Sequence, residues 1–134
     1  MNKPSNVVEL LQKLIQIPSV NPDDAPGTDK THEQEIAEWL KPFLESHGFA
    51  VTLEEVLPGR PNLIARSPGP KDRKRIMLAP HLDTVGVGGM TIDPFSGEIK
   101  DGKIWGRGSS DTKGPMAAMI MGLIENKDRL AELA

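Results

Sequence analysis

The sequence predicts an α/β fold. Stretches whose apolar residues recur at helical spacing alternate with short stretches of strand-like alternation. Glycine (13) and proline (12) are frequent while aromatic residues make up 4% of the chain, a composition that suits a loop-rich α/β lobe better than a helical bundle. The run Ile76-Met77-Leu78-Ala79 is apolar on both faces, the pattern of a central strand. A chain of 134 residues fits one domain.

The elements follow in order. Val7, Leu11, Leu14 and Ile15, with Val8 and Leu10, form a helical stripe that ends before Pro18. The segment from Val20 to Lys30 is rich in Pro, Asp and Gly and reads as a loop. Thr31 followed by Gln34 reads as a capping box, and Ile36, Leu40, Phe43 and Leu44 supply an apolar face that runs to a C-terminal cap at Gly48. Pro42 falls inside this helix and should kink it. His32 and His47 read as solvated helix-end residues.

Phe49, Val51 and Leu53 alternate with Ala50, Thr52 and Glu54 as in a half-buried strand; Pro58-Gly59-Arg60-Pro61 then separates it from a second strand over Asn62 to Arg66. The cluster Lys71-Asp72-Arg73-Lys74-Arg75 reads as a solvated turn before the run at Ile76. Gly86 to Gly89 suggests a mobile connection, and Glu98 to Trp105 is a hairpin around Asp101-Gly102, with Trp105 expected to pack beside the site. The last helix begins near Lys113, takes Pro115 in its first turn, and turns Met116, Met119, Ile120, Leu123 and Ile124 toward a core. Its methionines are core filling.

Composition excludes several functions. A formal charge of −3 and a pI near 5.6 leave no basic footprint for nucleic acid. The absence of cysteine rules out disulfides and thiolate metal sites, so any zinc must sit on His, Asp or Glu. No apolar signal core opens the chain, and the apolar run from Met116 to Ile124 is too short to cross a bilayer; the expectation is a cytoplasmic protein with no membrane partner.

Three residues stand out chemically. His81 and Asp83 lie two apart at the end of the apolar run, so in a strand they project to one side. A metal-binding imidazole commonly donates its other ring N–H to a carboxylate, which casts His81 as ligand and Asp83 as its support; a partly buried histidine beside a solvated aspartate gives the same spacing. Asp111 sits in Gly106-Arg107-Gly108-Ser109-Ser110-Asp111-Thr112-Lys113-Gly114, a turn that opens a helix, where an aspartate is either a ligand or an ordinary N-terminal cap. A phosphate cradle at Gly106-x-Gly108 is disfavoured, because Asp111 would repel phosphate and no Gly-x4-Gly-Lys-Ser/Thr is present.

Several motifs in register carry a family likeness. Leu14-Ile15-Gln16-Ile17-Pro18-Ser19-Val20-Asn21-Pro22, His81-Leu-Asp83-Thr-Val85, Asp93-Pro-Phe95, Asp101-Gly-Lys-Ile104 and Gly106 to Gly114 resemble, in order and spacing, the dinuclear zinc hydrolases of the acetylornithine deacetylase, succinyl-diaminopimelate desuccinylase, aminoacylase and glutamate carboxypeptidase family. Gly86 departs from the proline usual there and removes no ligand. The resemblance implies the N-terminal part of a three-layer α/β/α catalytic domain with a mixed sheet, over residues 1–134, incomplete because the C-terminal half and the dimerisation domain lie outside it.

The resemblance also implies the chemistry. Two zinc ions would assist hydrolysis of the amide bond of an N-acyl amino acid or small peptide, with Asp111 bridging them, His81 holding one and Asp83 orienting His81. Cobalt or manganese in place of zinc stays open. The general base, a late histidine and the remaining ligands belong to sequence not present here, and Glu98, Asp93 and Asp101 read as surface or turn residues. The chain is therefore expected to be inactive alone and to self-associate through uncovered surfaces. Two classes remain: part of such an enzyme, or a natural short interaction module.

Overall fold

The computed structural model describes residues 3–23, 25–69 and 75–129. The first helix, α1 (Val7–Gln16), is started by Asn6, whose side chain accepts Glu9 N–H at 3.0 Å. Glu9 reaches back to accept the N–H of Ser5 at 2.7 Å and its hydroxyl at 2.9 Å, so two donors at the helix start are satisfied reciprocally. These bonds to Ser5, the backbone one foremost, hold the Glu9 carboxyl below the usual carboxylate range. A group with a lowered folded pKa stabilises the fold above its unfolded pKa and loses that effect as pH falls through the folded value. Glu9→Gln should therefore lower the melting temperature slightly at pH 7, and the two curves should converge in acid, below the usual carboxylate pKa.

α1 buries Leu10, Leu14 and Ile15 and leaves Val7 and Val8 largely exposed. It packs on α3 (Lys113–Glu125), whose Met116, Ala117 and Met121 are buried while Ile120, Leu123 and Ile124 flank the same cluster. α2 (Gln34–Glu45) continues through Pro42 and lies on the hairpin of β1 (Ala50–Leu57) and β2 (Arg60–Arg66). Leu40, Phe43, Phe49 and Val51 join the helices in one core. Gly48, at φ 89°, turns the chain from α2 into β1.

Three expectations from the sequence are corrected. Thr31 and Gln34 form no capping box: Glu33 occupies the cap position without a side-chain bond to the helix. Its carboxylate is taken by Arg60 at 2.8–3.1 Å, and the Gln34 N–H is taken by Gly59 O, so the loop is tied to the hairpin instead. His32 and His47 are half-buried and partnered, His32 Nδ1 with Thr31 Oγ1 at 2.8 Å and His47 Nδ1 with Phe43 O at 2.8 Å. Ile76 to Ala79 is not a strand, and Ile76 and Met77 are 90% and 85% exposed. A run apolar on both faces becomes a strand only between neighbours that supply ladder bonds and cover, and none does so among the described residues.

β3 (Glu98–Lys100) and β4 (Lys103–Trp105) form the expected hairpin, turned by Asp101 at φ 53° and Gly102 at φ 71° as a tight hairpin turn requires. Trp105 closes on this hairpin, donating its ring N–H to Lys100 O at 3.2 Å. The described sheets are both two-stranded and antiparallel. The basic stretch from Lys71 to Lys74 lies outside the described residues. No described helix is long and apolar enough to cross a membrane.

Candidate metal centre

The site is assembled by a clip between two extended segments. Pro18 stops α1 and the chain passes through Ser19, Val20 and Asn21, which lie beside residues 82–84 in a parallel bridge. Thr84 N donates to Ser19 O at 2.9 Å, Asn21 N to Thr84 O at 2.8 Å, and Ser19 Oγ to Leu82 O at 2.7 Å. Ser19, Val20 and Thr84 are buried. Residues 82–84 are therefore held although the apolar run before them is unpaired.

The turn carrying Asp111 is shaped by close approaches. Gly108 has φ 84°, and a Cβ there would meet Thr84 Cγ2 at 2.8 Å; a Cβ on Gly106 would collide with Ile15. Lys113 locks the turn to α1. It is 1% exposed, and its ammonium donates to Leu14 O at 2.8 Å and Ile17 O at 2.7 Å at the C-terminal end of that helix. Burial pulls its pKa down to about 7.

The structure brings His81, Asp83 and Asp111 together. His81 Nδ1 lies 3.0 Å from Asp83 O and 3.1 Å from Asp83 Oδ1, while Nε2 lies 3.1 Å from Asp111 Oδ1. Asn21 Nδ2 donates to Asp83 Oδ2 at 3.0 Å. Thr112, not Asp111, is the helix cap residue, and Asp111 is exposed at the cleft and accepts no backbone N–H among the described residues. Together with Thr84, Arg107 and Ser109, the three residues line an open cleft of about 230 Å³. Thr84 Oγ1 and Arg107 Nε are buried there without a hydrogen-bond partner among the described residues.

The donor chemistry is specific. Nδ1 faces two acceptors of Asp83 and Nε2 one of Asp111; a neutral ring with its proton on Nδ1 turns the Nε2 lone pair toward the carboxylate of Asp111. Two lone-pair atoms at this distance attract only with a cation or proton between them. Burial pulls the His81 pKa down, but the bonds to Asp111 and Asp83 and the charges of both carboxylates outweigh it, and the net shift is upward. The separation also suits a metal: two ligands about 2.0–2.1 Å from one tetrahedral ion stand roughly 3.3 Å apart. Among the described residues no group of three or more His, Asp or Glu side chains converges as a complete metal set.

Asn21, Ser19 and Lys113 were not singled out from the sequence. The signal for the first two is Ser19-Val20-Asn21, standing between a helix exit and Pro22, which reads as a loop until its hydrogen-bonding partner is known. Asp93 and Asp101 are turn residues and Glu98 lies on β3, as expected.

A family profile, Peptidase family M20/M25/M40, matches residues 77–133, which include all three residues. A succinyl-diaminopimelate desuccinylase of Methylobacterium radiotolerans is 36% identical over 94% of this chain. The chain is thus similar to peptidase family M20/M25/M40. A second desuccinylase, of Wolinella succinogenes, is 36% identical over 90% of the chain. The crystal structure of an M20 family metallo-carboxypeptidase from Sulfolobus solfataricus superposes with a TM-score of 0.72 at 24% identity over 94% of this chain, and shows the fold. The chain spans 31%, 30% and 28% of the length of these three proteins. Its separate helices and small sheets are thus part of the M20 fold.

Proposed function

We infer that this chain is the N-terminal part of a metal-dependent amidohydrolase or peptidase that hydrolyses the amide bond of N-acyl amino acids or small peptides. The single observation that carries the reading is the placement of His81, with Nδ1 on Asp83 and Nε2 3.1 Å from Asp111 Oδ1. His81 and Asp111 would hold the metal, Asp111 as the bridge if two zinc ions bind, and Asp83 would set the His81 tautomer. Zinc, when bound, supplies a water nucleophile at neutral pH and polarises the substrate carbonyl. The chain's own contribution is orientation: Asp83 keeps the proton on Nδ1, and the clip to Ser19 and Asn21 keeps His81 beside Asp111. The relatives' length supports a longer protein in which later sequence supplies the general base and further ligands. On this reading the 134-residue chain is inactive alone.

The test uses the protein carrying every residue its gene encodes. Metal-free protein should take up zinc by equilibrium dialysis and hydrolyse members of a panel of N-succinyl, N-acetyl and dipeptide substrates. Absence of both uptake and hydrolysis would overturn the reading. The exposed Ile76, Met77 and Leu78 support a second expectation. The 134-residue chain should form concentration-dependent oligomers in light scattering, reduced by Met77→Lys; a monodisperse monomer at all concentrations would count against it.

A further inference from the structure

The geometry points to Asn21 as a positioning residue of this centre, acting on His81 through Asp83; the inference rests on the metal-centre reading above. Asp83 has two oxygens to place. Oδ1 lies 3.1 Å from His81 Nδ1, and Oδ2 accepts the Asn21 side-chain amide at 3.0 Å. The amide is itself oriented, because its oxygen accepts Asp23 N–H at 3.0 Å, which turns the NH2 group toward Asp83. The backbone of Asn21 is held by its bond to Thr84 O at 2.8 Å. The carboxylate is thus fixed at both ends.

Without the amide, Asp83 would keep one side-chain partner. The terminal torsion of an aspartate is broad and roughly two-fold, so a carboxylate held at one oxygen samples orientations that do not serve His81. Nδ1 would keep the main-chain carbonyl of Asp83 at 3.0 Å, but with the carboxylate loosened part of the proton population would move to Nε2, the nitrogen that faces Asp111, where it blocks metal. The Asn21 side chain supplies a neutral donor that, among the described residues, reaches the centre through Asp83.

The test uses the whole gene product, metal-free, with 15N-labelled histidine, in a buffer alkaline enough for a neutral ring. Long-range proton–nitrogen correlation distinguishes the two tautomers, and His81→Gln identifies the His81 signals. Asn21→Leu keeps the side-chain shape and removes the donor; Asn21→Asp keeps the shape and places a charge against Asp83. Both should move His81 toward the Nε2–H tautomer, and zinc affinity should fall about tenfold, the lower end of what loss of an outer partner costs. An unchanged tautomer in either folded variant would overturn the proposal, whatever the zinc affinity. Failure of both variants to fold would also overturn it, making Asn21 structural. Wild-type protein that takes up no zinc would instead overturn the metal-centre reading, while the tautomer measurement, which needs no metal, would still decide the role of Asn21.

Discussion

In the whole gene product, His81→Ala should weaken zinc binding by at least about 100-fold, more than the 10–100-fold that loss of an outer partner costs. The reason is the economy of the site. His81 Nε2 and Asp111 Oδ1, 3.1 Å apart, are the two lone-pair atoms the described residues aim at one point, and no third His, Asp or Glu completes the set. Removing the imidazole leaves Asp111 as the one ligand the described residues supply. Asp83→Ala should cost less, because it leaves Nε2 in place and removes the carboxylate from Nδ1 while the main-chain carbonyl of residue 83 still accepts there. Competition against a chelator of known affinity measures both. Zinc and proton compete for Nε2, and the His81 pKa is raised, so affinity should weaken as pH falls through that pKa. Equal affinities for wild type and His81→Ala would remove His81 from the centre.

Lys113→Met should destabilise the fold by about 2–4 kcal/mol, read as the shift in urea unfolding at neutral pH. Methionine retains much of the apolar stem and loses the three donors. Ile17 O, which accepts from the Lys113 ammonium at 2.7 Å, would be left buried without that partner, and Leu14 O would keep only the long 3.3 Å bond from Ile17 N. An unsatisfied buried carbonyl costs roughly 1–3 kcal/mol. Two features oppose one another here. Burial disfavours the charged amine, which is why its pKa is drawn down to about 7, while the carbonyls at the negative end of α1 favour it. A change smaller than about 0.5 kcal/mol would mean that burying the amine cancels its bonds. Because Lys113 also fixes the turn that carries Asp111, the variant should bind zinc more weakly even where it remains folded.

Local pattern was most informative where an element needs only its own residues. The helices α1, α2 and α3 follow from apolar spacing, and the Asp101-Gly102 turn from the backbone it demands. β1 and β2 pair locally, so Phe49, Val51 and Leu53 announce them. Patterns failed where a distant partner decides. Thr31 and Gln34 have the spacing of a capping box, yet Arg60, distant in sequence, takes Glu33 and redirects the loop. Ile76 to Ala79 has the composition of a central strand, but a strand is a relation between neighbours, and the described chain provides none.

The same division runs through the candidate centre. His81-x-Asp83 and Asp111 are visible in the sequence because a metal ligand and its support must be of these residue types, and because extended backbone puts alternate side chains on one face. Nothing local shows that Asp111 meets Nε2, that Asn21 holds the far oxygen of Asp83, or that Lys113 reaches back to α1. Those contacts join residues 30, 62 and 96 to 99 positions apart. The sequence by itself determined the helices, the hairpins and the residue types of the candidate centre, since these depend on side-chain type and short-range backbone geometry. Only the tertiary structure decided which residues orient that centre, because a hydrogen bond across the fold leaves no periodicity in the chain.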